Sequence, residues 1–196
     1  MEAHSFSRIA AYFIDLVIVS LFITLITYWI PVSKKYEESV KGQKELIEKY
    51  DVKNADMGAF TKEYYEYEYS INKETVVFSV ISIIVSIGYY GTFAYYYNGQ
   101  TLGKRLCRIK VAADKGKEVS HLKMILRGSL VSGALFSLID ILFLLIANKS
   151  TYIYYYLPIQ IISTLFLIVS AFMIMLSKKR KGIHDYIFKT KVIETK

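Results

Sequence analysis

The 196-residue chain has one cysteine, two prolines, ten glycines and one tryptophan. A lone Cys107 excludes an intrachain disulfide and a thiolate metal site, and we read it as a small buried or interfacial residue. Three histidines, His4, His121 and His184, have no metal-ligand spacing among them. The most telling scarcity is charge within four long stretches. Ile9 to Ile30 holds one ionisable residue, Asp15, and Gly128 to Ala147 holds one, Asp140, while Val76 to Tyr97 and Thr151 to Ser177 hold none. A helical span needs about 20 apolar residues. The pattern therefore predicts an all-α membrane protein: a bundle of four transmembrane helices near residues 8–31, 75–97, 123–147 and 151–177. A soluble bundle would show polar faces at a 3.6-residue period, and the last span offers only Gln160 and a few hydroxyls. The first apolar run is too long for a cleaved leader and lacks a small-x-small site, so it is read as a retained span.

The net charge is +8, and its distribution argues for topology rather than nucleic acid. Asn98 to Arg127 carries eight Lys/Arg against Asp114 and Glu118, and the tail from Lys178 carries seven against Asp185 and Glu194. The insert 32–73 balances eight lysines with nine acids. The positive-inside rule then predicts the loop 98–122 and the tail 178–196 on the cytoplasmic side of the cell membrane, both termini cytoplasmic and the insert outside. Anionic headgroups are the partner that such basic segments meet.

In the insert, i,i+4 charge pairs such as Glu37 with Lys41 and Lys44 with Glu48 predict an exposed helix. The following "EYYEYEYS" puts Tyr64, Tyr65, Tyr67 and Tyr69 at the start of the second span, as an aromatic interfacial belt or as a partner surface. In the inner loop, "NGQTLGKRL" combines turn chemistry with a short basic amphipathic piece, in which Lys104, Arg105 and Arg108 meet lipid phosphates. "RIKVAADKGKEVS" alternates through Ile109 and Val111 and predicts a small cytoplasmic β-hairpin turning at Asp114 to Gly116. The tail alternates again through Val192 and offers a third strand. "GQTLGKR" is not a phosphate-binding loop: its glycines are too close and Arg105 stands where a Ser or Thr is needed.

An ionisable group inside a span is a functional candidate by default. With Arg8 at the membrane edge, Asp15 lies roughly 10 Å deep and Asp140, counted from Arg127, roughly 20 Å deep. Ser129, Gly133, Ser137 and Asp140 form a small-residue stripe that predicts a helix contact, with the first helix as neighbour. Asp15 is either a proton or cation site or half of a buried lock with Arg127 reaching in by snorkelling. Asp140 is either a second such site or a neutral hydrogen-bonded acid. Arg8 and Asp185 emerge at the same face, and their pairing would close that end of the bundle.

"SRIAAYFIDLVIV", "NGQTLGKRLCRIKVAADKGKEVSHLKMILR" and "KKRKGIHDYIFKTKVI", in this order, closely resemble the RDD family of small membrane proteins, named for one arginine and two aspartates. By that resemblance Arg8 and Asp15 are the first two signature residues and Asp185 the third. Gly99, Thr101, Gly103, Lys104 and Arg127 match further recurrent positions, and Arg105 completes the loop motif. Asp140 belongs to no matched block. Cys107 and Lys189 stand where relatives commonly have glycine. The resemblance implies a transporter of an ill-defined ligand, some members looking like sodium/proton antiporters and others like modulators of membrane partners. The expected function is thus exchange of a monovalent cation for protons, with Asp15 as the coupling carboxylate and a second copy of the chain completing the path. The alternative is a nonenzymatic adaptor or inhibitor bound to a larger membrane protein. No cofactor, metal or nucleic acid is expected, and no enzyme, because no nucleophile or acid/base pair has suitable neighbours.

Overall fold

A computed structural model describes residues 2–50, 56–114 and 118–195. Helix α1 (Ser5–Thr27) buries Arg8, Ala11, Asp15 and Val19, spaced three and four apart, and turns its remaining apolar side chains outward. Phe13 and Leu25 are 61% and 68% exposed. This is the inverse of a soluble helix: the buried stripe is the polar and small one, as expected when hydrocarbon is the solvent.

Helices α2 (Lys34–Lys49) and α3 (Met57–Glu74) pack on each other. Ser33 caps α2 by accepting from Tyr36 N, and Asp56 caps α3 by accepting from Gly58 N. Of the expected i,i+4 pairs, Lys41–Glu45 and Lys49–Glu45 form among the described residues, at 4.0 and 3.4 Å on exposed side chains, where such pairs are worth little. The tyrosines of α3 turn inward. Tyr65 meets Tyr156, Tyr69 meets Tyr152, and the Tyr152 side chain is fully buried.

Helix α4 (Val76–Ile87) continues through a π-helical turn, Gly88–Phe93, into the short α5 (Ala94–Tyr96). After α6 (Leu102–Leu106) and strand β1 (Ile109–Ala113) come α7 (His121–Val131) and α8 (Ala134–Ile146). A Cβ on Gly91 would stand 2.8 Å from Ile125 Cα, and one on Gly128 would stand 2.7 Å from Tyr90 O. The two glycines therefore let α7 lie against the π turn at backbone distance. The single helix expected over 123–147 is instead two, bent by 74°. The break falls at Gly133, whose φ of +78° leaves the helical region. Ser129, Gly133, Ser137 and Asp140 consequently do not share one helix face.

Helix α9 (Ile153–Leu176), α10 (Ile183–Phe188) and β2 (Thr190–Glu194) finish the chain. Three segments are long and apolar enough to cross a membrane, Ser5–Thr27, Val76–Tyr96 and Ile153–Leu176, and the bent α7–α8 pair makes a fourth if it is one span.

The expected hairpin is corrected. β1 pairs antiparallel with β2 from the tail, with Val111 opposite Val192, and Glu2 bridges to Ile193 on the far side. Lys115–Lys117, where the turn was expected, lie outside the described residues, and Glu118–Ser120 form no strand. The tail is the better partner because its alternation buries both Thr190 and Val192, whereas the stretch after the turn offers only Val119. Ala3, Ala11, Ala94, Ile109, Val111 and Val192 join in one core beneath this small sheet.

Candidate functional site

Two carboxylates organise the end of the bundle nearest the sheet. Asp185, the third residue of α10, is 0% exposed. It accepts from Arg8 Nη2 at 2.5 Å, Arg127 Nη2 at 2.8 Å, Thr190 Oγ1 at 3.0 Å and the Gly182 N–H at 3.2 Å. The last bond is a helix start satisfied by an acid at the third position. Arg8 also donates to the carbonyl of Arg180. One chain segment thus ties α1, α7 and the tail to a single buried carboxylate.

Asp15 is 1% exposed and is held by neutral donors. It accepts from Tyr89 Oη at 2.6 Å, Thr101 Oγ1 at 2.5 Å and the Gly103 N–H at 2.7 Å. Tyr89 Oη in turn accepts from the Leu102 N–H at 3.1 Å, and Thr101 is the N-cap of α6. Gly103 is required for this approach, since a Cβ there would lie 2.3 Å from Ala11 O and 2.7 Å from Asp15 Oδ1. Gly99 turns the preceding chain at a φ of +83°, with the Val111 carbonyl against it. The expected Asp15–Arg127 lock does not form. Arg127 goes to Asp185 because α10 brings a fully buried carboxylate to it, and α6 supplies Asp15 with its partners.

Lys104, from the same loop motif, points into a cavity of about 460 Å³ whose polar end also includes Arg8, Asp15, Arg127, Ser170 and His184. Its Nζ stands 6.0 Å from the Tyr90 ring centroid and has no hydrogen-bond or ion-pair partner among the described residues. Burial, with Arg127 adding to it, lowers the Lys104 amine to about 8. Arg105 is exposed and takes no part. Asp140 lies elsewhere, on α8, and accepts from Gln160 Nε2 of α9 at 2.7 Å rather than facing α1.

Sequence reasoning missed Tyr89, Thr190, Ser170 and the role of His184. Burial first, and then the charge of Arg127, lower His184 to about 3, so its ring is neutral near pH 7. His184 Nδ1 lies 3.1 Å from Ser170 Oγ, which also accepts from the Ile183 N–H. With the serine hydroxyl donating to Nδ1, the ring proton sits on Nε2, which lies 3.5 Å from Asp185 Oδ2. Burial opposes the charge of Asp185, but Arg127 and Arg8 outweigh it and hold the carboxyl well below the usual range. Both shifts act in the same direction on stability. The unfolded chain takes up a proton on histidine below pH about 6.5 and on aspartate below about 4, which the folded chain refuses. The contribution of these two groups is complete above pH about 6.5 and falls with acid. His184 alone should remove about 2 kcal/mol between pH 7 and pH 5. A thermal-unfolding series over that range checks it, and the slope should vanish in His184→Gln.

These features decide the family. A family model described as the RDD family matches residues 3–189, nearly the whole chain. The chain belongs to the RDD family. Searches of curated proteins and of solved structures return no match. With the apolar helices above, membership makes this a multi-pass membrane protein. The three residues that the resemblance makes the signature fall into two separate clusters: Arg8 and Asp185 share one, and Asp15 anchors the other.

Proposed function

We propose that this RDD protein is a small membrane transporter that takes an anionic solute into the 460 Å³ cavity together with a proton. The observation that carries this reading is the charge balance at the polar end. Arg8, Lys104 and Arg127 face the carboxylates of Asp15 and Asp185, three positive charges against two negative ones, and both carboxylates already accept several hydrogen bonds. Lys104 is the cation left over. One unit charge at 4 Å is worth about 4 kcal/mol at an effective dielectric near 20. That attraction favours an anion and opposes a cation by the same amount. The lowered Lys104 amine loads and releases a proton near physiological pH, and neutral His184 adds no charge.

Exchange of sodium for protons at Asp15 is the second reading, favoured by the placing of Asp15 on the cavity wall. It requires a cation to displace three donors from a carboxylate beside a positive cavity. The adaptor alternative has less to rest on at Tyr65 and Tyr69, two of the four tyrosines that suggested a partner surface, which meet Tyr156 and Tyr152. In the reading we favour, a second copy of the chain completes the path. The cell membrane surrounds it, and the sheet, with both termini, faces the cytoplasm. The pairing of β1 with β2 supports this, since it gathers the basic loop and the basic tail at one end.

The test uses proteoliposomes loaded with a pH-sensitive dye and challenged with hexanesulfonate, which stays ionised and does not cross lipid as a neutral acid. Acidification of the lumen is expected, with Lys104→Met removing it and pH above about 9 suppressing it. A response to sodium alone that Asp15→Asn abolishes, with none to hexanesulfonate, would overturn this reading in favour of cation exchange.

A further inference from the structure

The polar end accounts for only part of the cavity. Away from Lys104 its walls are apolar: Ile9 and Phe13 of α1, and Leu167, Ile168, Ile174 and Met175 of α9. These apolar walls come from two helices, α1 and α9. Phe13 is 61% exposed, Ile168 46% and Met175 56%. All three belong to membrane-spanning helices, so the surface they leave open faces hydrocarbon, not water. A solute entering here arrives from within the bilayer.

We infer that the ligand is a single-chain anionic amphiphile, a fatty carboxylate, with its head group on Lys104 Nζ and its hydrocarbon chain in the cleft between α1 and α9. This rests on the anionic-solute reading above and adds the class of solute. The single excess positive charge matches one carboxylate. A dianionic phosphate would bring a second charge that this balance of three cations against two carboxylates leaves unmatched. A volume of about 460 Å³ is ordinary for a small-ligand site. The walls themselves supply little driving force, because lipid tails are as apolar as leucine. They select a chain by packing, and the head group supplies the affinity. Affinity should therefore depend on Lys104 far more than on any wall residue, and a neutral alcohol of the same length should compete poorly.

The experiment places the full-length protein in phosphatidylcholine nanodiscs. The probe is a palmitate analogue with a diazirine near the chain end, and mass spectrometry maps the crosslinks. Labelling is expected at residues 167–175 of α9 or at Phe13, displaced by palmitate and not by hexadecanol. Lys104→Met should reduce labelling about tenfold or more, and Lys104→Arg should retain it. Ile168→Trp, on the lipid side and clear of the polar network, should block labelling in a folded protein. Labelling spread evenly over all lipid-facing helices, or displaced equally by hexadecanol, overturns the inference. A hexanesulfonate response without site-specific labelling overturns the amphiphile and leaves the anionic-solute reading standing. Loss of both responses overturns both.

Discussion

Asp185→Asn is expected to cost about 3–5 kcal/mol, the cost of leaving buried charge without its partner. Arg8 and Arg127 are 8% and 3% exposed, and both end on the same carboxylate. The amide keeps the shape and one acceptor but removes the charge that offsets two guanidinium groups. Against a typical stability of about 5–15 kcal/mol, that is about a fifth of the total or more. Cys107, the only cysteine and partly buried, provides the measurement: its reaction with a thiol-sensitive dye on heating reports unfolding. Arg8→Lys should fail to preserve the site, since an ammonium cannot bridge the Asp185 carboxylate and the Arg180 carbonyl as the planar fork does. Replacing all three charged groups together, with Arg8→Met, Arg127→Met and Asp185→Leu, should recover more than half the loss. A change below about 1 kcal/mol for Asp185→Asn would show that the cluster is hydrated rather than dry.

Gly103→Ala is the second large effect. The added methyl meets a backbone carbonyl, Ala11 O, at 2.3 Å and the clamped Asp15 Oδ1 at 2.7 Å. Neither atom is the free end of a flexible side chain, so α6 must move off α1. That movement stretches the bonds from Thr101 and Gly103 to Asp15. Overpacking and weakened bonds to a buried charge together should cost about 2–4 kcal/mol. Gly88→Ala is the matched control. Nothing stands within 4 Å of a Cβ there, and within a helical run the change should be neutral or slightly stabilising. Equal dye reactivity for the two variants would show that the close approach at Gly103 is not what holds Asp15.

The Arg8–Asp185 pair was legible because both residues leave their spans at the same edge, and only charge and depth were needed to match them. The partners of Asp15 were not. One is the backbone N–H of Gly103, and another is Tyr89, which stands beside Tyr90 in an uncharged stretch with nothing to mark a polar partner. The one nearby mark of a close backbone approach is Gly91, which lies against Ile125 of α7. The straight third span failed at Gly133, where apolar periodicity does not register a left-handed residue. Lys189 is a second such position. It adopts a φ of +52°, a left-handed conformation that costs a side-chain-bearing residue about 1–2 kcal/mol and that apolar periodicity does not register either. The sheet partner was misassigned because local alternation favours the nearest strand, while β1 pairs with one at the far end of the chain.

The bond from Arg8 to Asp185 spans 177 residues, and this has a consequence for biosynthesis. At about 5–20 residues per second, a ribosome needs roughly 10–35 s to travel that far. Throughout that time the first helix has left the ribosome with a guanidinium whose carboxylate has not yet been made. Asp15 waits a shorter time, for Tyr89 and the α6 loop. The nascent chain therefore passes through an interval in which α1 is made but its buried guanidinium has no carboxylate to meet. Release of the tail ends that interval, bringing β2 to the N-terminal residues and Asp185 to the two arginines.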